Sequence, residues 1–442
     1  MKTILILLDG LGDRSYKILN HRTPLQAAAT PNLDHLACLG SNGLFHASWP
    51  GRCLPSETAH HLLFGYEMDT FPGRGLLEAV GEGIEFDDND ILCLAHLSGV
   101  RWQDGVPILV HGRDDIEGSA EEIGLLFHSI SFYEAEGIKF RLHQTRRNDA
   151  ILVLSGQVSP YVSDSDPMVP GRAMACIQPL AKNPKTEKAE RTASALNEYL
   201  SYCHRVLTDH EHNRRRGEGN LPQANFLATQ RCGRRIVQEP FNERWGLEGM
   251  LIASGSVYTG LAHELGLTPF RVKDSDKPDE DLRERIKVAL DDHSHDFIHV
   301  HTKVPDEAAH TGGPKQKEAA IASLDRGLVD LVKAVETRDD LLVAVTADHS
   351  TPSASTLIHS GEPVPLVLAG PTVRRDNVDA FDEVSVAAGC LGLLRGRELM
   401  TMILNFADRS MLYGHRLGRD ERAYLSSDYE PFKLTDGDKL HI

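Results

Sequence analysis

The chain has 442 residues, 41% hydrophobic and 25% charged, which excludes a disordered or fibrous protein and is too long for one ordinary core. Its formal net charge of −17 argues against nucleic acid as a partner, and means that an anionic substrate must be attracted locally by metal ions or arginines. The seven cysteines (Cys38, Cys53, Cys93, Cys176, Cys203, Cys232 and Cys390) contain no CxxC pair and read as reduced thiols. No stretch approaches the roughly 20 apolar residues of a membrane span. Asp9, Asp13 and Arg14 interrupt the apolar start before a signal-peptide core can form. A soluble, cytoplasmic protein with no membrane partner is expected.

In chain order, Lys2–Leu8 is an apolar run ending at Asp9-Gly10, the pattern of a buried parallel strand that stops at a loop. Thr30-Pro31-Asn32 opens a helix through Leu33, Leu36 and Leu39, with Thr30 as N-cap and Pro31 as the first helical residue. From about residue 85 to 235 the chain is rich in Asp, Arg, Pro and Gly, and its strands, such as Ile151–Leu154, are expected to alternate. This stretch also contains an amphipathic helix over Lys188–Leu207, with Leu196, Leu200 and Cys203 near one face. The chain returns to its first domain near Phe241. There Asp296–His301 reads as a strand and Lys317–Val335 as a helix with Ile321, Leu324, Leu328 and Leu331 on one stripe. Leu341–Thr346 and Val364–Leu368 read as further strands. Strand–helix–strand spacing makes a parallel sheet to which both chain ends contribute.

The residues suited to chemistry stand at the ends of these strands, where ligands of open α/β sheets gather. Asp9 follows the first. Asp306 and His310, four apart and on one face of a helix, follow the strand at 296–301. Asp348 and His349 follow Leu341–Thr346, and His359 lies in the Ser/Gly/Pro loop beyond. Neighbours on a strand point to opposite faces, so Asp348 and His349 share a site only if the chain turns there, as Ser350-Thr351-Pro352 indicates. Ser56 opens a second helix. A serine there ordinarily satisfies one free N–H, but the same N–H groups and helix dipole also favour a serine alkoxide and an incoming phosphate. Three clustered carboxylates would raise one another's pKa values without cations. Two divalent ions would offset them, with an ionised Ser56 bringing the site to neutrality. Mixed oxygen and nitrogen donors suit Mn, Zn or Mg.

These residues, in this order, resemble the cofactor-independent phosphoglycerate mutases, the archaeal-type branch of the alkaline phosphatase superfamily. The resemblance spans nearly the whole chain. It is carried by Leu8-Asp9-Gly10-Leu11-Gly12-Asp13-Arg14, Ser56 through Gly65-Tyr66, Gly73-Arg74-Gly75 and Asp164-Ser165-Asp166-Pro167. Lys303 with Pro305 through His310, Thr346 through Pro352, His359 through Pro365, and Arg395-Gly396-Arg397 complete it. The resemblance implies an α/β fold: an alkaline-phosphatase-like core with a mostly parallel sheet flanked by helices, carrying an inserted α+β domain. The expected limits are 1–84 and 236–415 for the core, 85–235 for the inserted lid, and 416–442 for a C-terminal extension.

The resemblance also implies roles. Asp9, Ser56, Asp348 and His349 would hold one metal ion, and Asp306, His310 and His359 the other. Ser56 would take the phosphoryl group from 2- or 3-phosphoglycerate and return it to the neighbouring hydroxyl, with Lys303 on the phosphoryl oxygens. Arg74, Asp164 and Asp166 would contact this small phosphorylated acid. The chain departs from the family at Glu57, at Ala309 and at Cys93-Leu94-Ala95-His96, where a Phe-Arg-Cys-Asn run is usual. The lost Arg and Asn remove anion-binding capacity, for which Arg113, Arg141, His143 or Arg214 could substitute. The alternative is therefore a metal-dependent phosphatase or phosphotransferase acting on another phosphorylated small molecule.

Overall fold

The computed structural model describes residues 1–181 and 187–433. They form two compact units: Met1–Asp69 with Gln238–Ser254 and the chain from Glu264 onward, and Thr70–Val237 with Gly255–His263. The expected boundary at residue 85 moves back to Thr70. Helix Arg74–Glu82 lies so close to strand Ile91–Gln103 that a Cβ on Gly75 would stand 2.7 Å from the Leu92 carbonyl oxygen. Gly73 likewise abuts Gly233. Residues 434–442 of the expected C-terminal extension lie outside the described residues. Within the described part, the Tyr424 hydroxyl donates to the Glu243 carbonyl across 2.9 Å.

The first unit is built on eight strands in the order Thr268–Arg271, Gly249–Ala253, Phe297–Thr302, Lys2–Leu8, Leu341–Thr346, Val364–Ala369, Gly40–His46 and Gly392–Arg395. The pairings are parallel except on both sides of Val364–Ala369, which runs against its neighbours. The mostly parallel α/β sheet is as expected; the direction of that strand is not, because a buried apolar run reads the same either way. Lys2–Leu8, Phe297–Thr302 and Leu341–Thr346 are buried almost throughout, as strands covered on both faces must be. The expected helix over 317–335 is two helices, Pro314–Arg326 and Val329–Thr337. They part at Gly327, where a Cβ would come within 2.7 Å of the Asp279 carbonyl oxygen. All four stripe residues remain buried.

Register carries the consequence for function. Leu8 pairs with Thr302 and Leu7 with Thr346, so the residues just beyond each strand, Asp9, Lys303 and Asp348, emerge side by side.

The second unit carries an antiparallel sheet in the order Val106–His111, Ile91–Gln103, Asp149–Ser155, Ile138–Gln144 and Phe132–Ala135, with Phe226–Gly233 also paired to Ile91–Gln103. The strand at Ile151–Leu154 does not alternate: it lies inside the sheet and is buried from Ala150 to Leu154. Helix Glu187–Asp209 covers the sheet through Leu196, Tyr199, Leu200 and Cys203, with Tyr199 stacked on Phe140 at 4.8 Å. Cys93 and Cys232 form a disulfide, correcting the expectation of reduced thiols throughout. They lie 139 residues apart in sequence, and the pairing of strands Ile91–Gln103 and Phe226–Gly233 brings them together. The other five cysteines are free.

Candidate active site

The seven side chains expected to hold metal ions converge at the carboxyl ends of the central strands. Ser56 is the first residue of helix Ser56–Leu63, with Pro55 as its cap. Its Oγ lies 3.0 Å from His349 Nε2 and 3.3 Å from Asp9 Oδ1. His349 Nε2 is also 3.2 Å from Asp348 Oδ2 and 3.3 Å from Asp9 Oδ1. Asp306, in the first turn of helix Val304–Gly312, faces His310 Nε2 at 3.3 Å and His359 Nε2 at 3.6 Å. Two groups of donor atoms are close enough to surround an ion: Asp306, His310 and His359, and Asp9, Asp306 and His349. Asp306 stands in both, whereas the sequence reading gave it to one.

The hydrogen bonds fix how the imidazoles present themselves. His359 Nδ1–H donates to the Leu54 carbonyl across 2.7 Å, which leaves a lone pair on Nε2 directed at Asp306. Thr351 Oγ1 donates to Asp306 Oδ1 at 2.7 Å, so it can only accept from His349 Nδ1–H at 3.2 Å. The His349 Nε2 lone pair therefore also faces carboxylate oxygens. Acceptors aimed at one another require a proton or a cation between them. Burial and the neighbouring His359 push the His349 pKa down to about 4, so at neutral pH a carboxyl proton or a cation, and not an imidazolium, lies between them. Burial, then the charge of Asp9, pushes Asp348 well above the usual carboxylate range, and its buried Oδ2 accepts no hydrogen bond. The carboxylates and neutral imidazoles fit divalent ions.

Three residues that the sequence reading missed support this cluster. His301 Nε2–H donates to Asp9 Oδ2 across 3.0 Å, and its hydrogen bond and the nearby His349 hold Asp9 well below the ordinary carboxylate pKa despite burial. His60 Nδ1–H donates to the Ser56 carbonyl at 2.8 Å; burial lowers its pKa to about 3, keeping it neutral. Thr351 is the third. A signal for His301 was present: His299 and His301 alternate with apolar residues on a buried strand, and His301 stands two residues before Lys303. Lys303 itself is the N-cap residue of helix Val304–Gly312.

The seven residues offered as substrate contacts, Arg113 among them, all lie in the second unit. Asp164 accepts from the Arg231 backbone N–H at 2.7 Å, and burial raises its pKa. Asp166 lies 3.5 Å from His96 Nε2, one of the residues at which the chain departs from the usual pattern. Arg141 and His143 share one face of strand Ile138–Gln144, with Arg141 3.4 Å from Asp90. Arg74 pairs with Glu78 at 2.7 Å. Arg214 pairs with Asp209 at 3.2 Å in an exposed position. Of these seven, Arg113 alone lines the cavity of about 570 Å³ in this unit, which is bounded also by Asp114, Gln144, Arg147, Asn148 and Asp149 among others.

Residues 1–406 match the family described as the Metalloenzyme superfamily. A 2,3-bisphosphoglycerate-independent phosphoglycerate mutase 2 of Methanocaldococcus jannaschii is 42% identical over 437 residues, covering 97% of this chain and 99% of its own. The chain belongs to the 2,3-bisphosphoglycerate-independent phosphoglycerate mutase family. Another relative of that name, from Methanopyrus kandleri, is 34% identical over 93% of this chain and 98% of its own. Among solved structures, a cofactor-independent phosphoglycerate mutase from Thermoplasma acidophilum superposes with a TM-score of 0.60 at 31% identity, over 92% of this chain and 100% of that one. The PH0037 protein of Pyrococcus horikoshii gives 0.74 at 26% identity, over 94% and 99%. Members of this mutase family therefore match both units of the chain.

Proposed function

We propose that this protein interconverts 2- and 3-phosphoglycerate by a metal-dependent phosphoryl transfer through Ser56. The observation that carries the reading is the placement of Ser56 Oγ, at a helix N-terminus and 3.0–3.3 Å from two members of a buried carboxylate–imidazole cluster. Two divalent ions, Mn, Zn or Mg, fit the two donor groups, Asp9, Asp306 and His349 about one and Asp306, His310 and His359 about the other. Ser56 and Asp348 are assigned to the first through their contacts with His349. When bound, such ions lower the pKa of a coordinated hydroxyl and neutralise charge on the transferring phosphoryl group.

The chain's own residues supply the rest. The N-terminal end of the dipole of helix Ser56–Leu63 favours negative charge on Oγ. A P–Oγ bond forms as the substrate's P–O bond breaks; Oγ gives up a proton and the departing glycerate oxygen gains one. After the glycerate reorients, the neighbouring hydroxyl takes the phosphoryl group back and Ser56 is restored. Lys303, one step beyond the strand beside Asp9, is assigned to the phosphoryl oxygens. The second unit is assigned to bind the glycerate, and water must be kept from the phosphoserine, since hydrolysis there would convert a mutase into a phosphatase. Among the described residues no helix is long and apolar enough to cross a membrane, and a small phosphorylated acid as substrate supports a cytoplasmic location.

The test is an enolase-coupled assay with 3-phosphoglycerate, with free phosphate measured alongside. Conversion at constant free phosphate, and phosphoserine at position 56 in acid-quenched protein by mass spectrometry, are the expected results. Phosphate released in step with substrate loss would transfer the assignment to a phosphatase.

A further inference from the structure

The mechanism leaves Lys317, a fully buried cation, without a task. It lies in the first turn of helix Pro314–Arg326. Its Nζ donates to the carbonyls of Gly12 at 2.9 Å and Thr351 at 2.8 Å, and lies 3.3 Å from Asp13 Oδ2. An ammonium has three N–H donors and no acceptor, so its capacity is spent on these partners. Burying a charge is costly, and an apolar side chain fills a core at lower cost. A lysine here therefore calls for a reason other than packing.

Its partners supply one. Gly12 and Asp13 close the loop that begins at Asp9. Thr351 belongs to the loop that begins at Asp348. Lys317 itself lies on the helix that follows the one carrying Asp306 and His310. The single ammonium thus joins the loop that begins with Asp9 and the loop that begins with Asp348 to the helix that follows the one bearing Asp306 and His310. The joint is reinforced: Thr351 N–H donates to the Gly12 carbonyl at 2.9 Å, while Asp13 accepts from the Tyr16 hydroxyl at 2.7 Å and from Ser353 N–H at 3.2 Å. With its carbonyl held by Lys317, Thr351 directs its hydroxyl onto Asp306, the residue common to both groups.

We propose that Lys317 is a positioning residue of the metal centre, which sets the spacing of the two donor groups by fastening their loops while contacting neither the ions nor the reacting atoms. This rests on the reading of the site as a metal centre.

The test uses full-length protein stripped by chelator and titrated calorimetrically with Mn²⁺ alone, with Tm recorded in the presence and absence of the ion. Wild type is compared with Lys317→Met and Asp13→Asn. Wild type should bind Mn²⁺ and gain Tm. Lys317→Met should lose about 10–100-fold in affinity, the usual effect of removing an outer support of a metal site, and gain less Tm from the ion. Asp13→Asn should fall between them. A lysine serving only to hold the fold would lower Tm equally with and without Mn²⁺ and leave affinity unchanged, which overturns the proposal. If Lys317→Met does not yield folded protein, wild-type affinity in Asp13→Asn overturns it instead. Failure of the wild type to bind Mn²⁺ would overturn the metal reading itself, and is seen before any variant is measured.

Discussion

His301 Nε2 stands 3.0 Å from Asp9 Oδ2, both side chains fully buried, so that one oxygen of the carboxylate is engaged from behind while Oδ1 is left facing Ser56. Such a bond fixes the orientation of a ligand rather than supplying one. His301→Ala should therefore weaken Mn²⁺ binding by about 10–100-fold, and His301→Gln, which retains an N–H donor, by less. Ion affinity by calorimetry decides it; equal affinities in all three proteins would remove His301 from the site.

Ser56→Ala deletes the proposed acceptor of the phosphoryl group but leaves Asp9, Asp348 and His349 in place. Turnover of 3-phosphoglycerate should fall by several orders of magnitude while bound metal, measured by atomic emission, stays near the wild-type amount. Activity surviving the substitution would rule out a phosphoserine.

Asp306 belongs to both donor groups and His310 to one. Asp306→Asn should therefore depress loading of both ions, and His310→Ala mainly that of one. Equilibrium dialysis against Mn²⁺ distinguishes a loss of both from a loss of one; the same stoichiometry in the two variants contradicts the shared-carboxylate geometry.

Stability should depend on pH through histidines held neutral. Burial pushes the His61 pKa down to about 4, with its Nε2–H donated to the Glu67 carbonyl at 3.0 Å. An unfolded histidine binds a proton below about pH 6.5. The stability that His61 confers is thus full above that pH and declines as pH falls from about 6.5 to about 4. His60, lowered to about 3, adds to the same acid limb. His61→Gln keeps a donor for Glu67 without titrating, so urea midpoints followed from pH 7 downward should fall less steeply than in the wild type. Identical slopes would show that His61 does not contribute.

Most of the cluster was legible in the sequence because a parallel sheet places its chemistry at strand ends, and Asp9, Asp306, Asp348 and His349 each follow a readable apolar run. What escaped was of a different kind. Lys317 and Thr351 act through backbone carbonyls and hydroxyls of residues distant in sequence, and no spacing rule announces such bonds. Strand Val364–Ala369 concealed its direction, since burial on both faces erases the alternation that might reveal it. Cys93 and Cys232 carried no local signature across a sequence separation of 139 residues. The break at Gly327 depended on the close approach of Asp279, a tertiary fact.

The reversed strand Val364–Ala369 has a consequence for how this centre can vary. Because it runs opposite to Leu341–Thr346, the stretch between them leaves and re-enters the sheet at the same rim, bringing His359 along as it returns. Residues added to or deleted from such an excursion change the size of the loop without shifting the strands on either side. That excursion carries Asp348, His349, Thr351 and His359, so a change in its length acts on the donors of the ion centre and leaves the sheet that supports them in register.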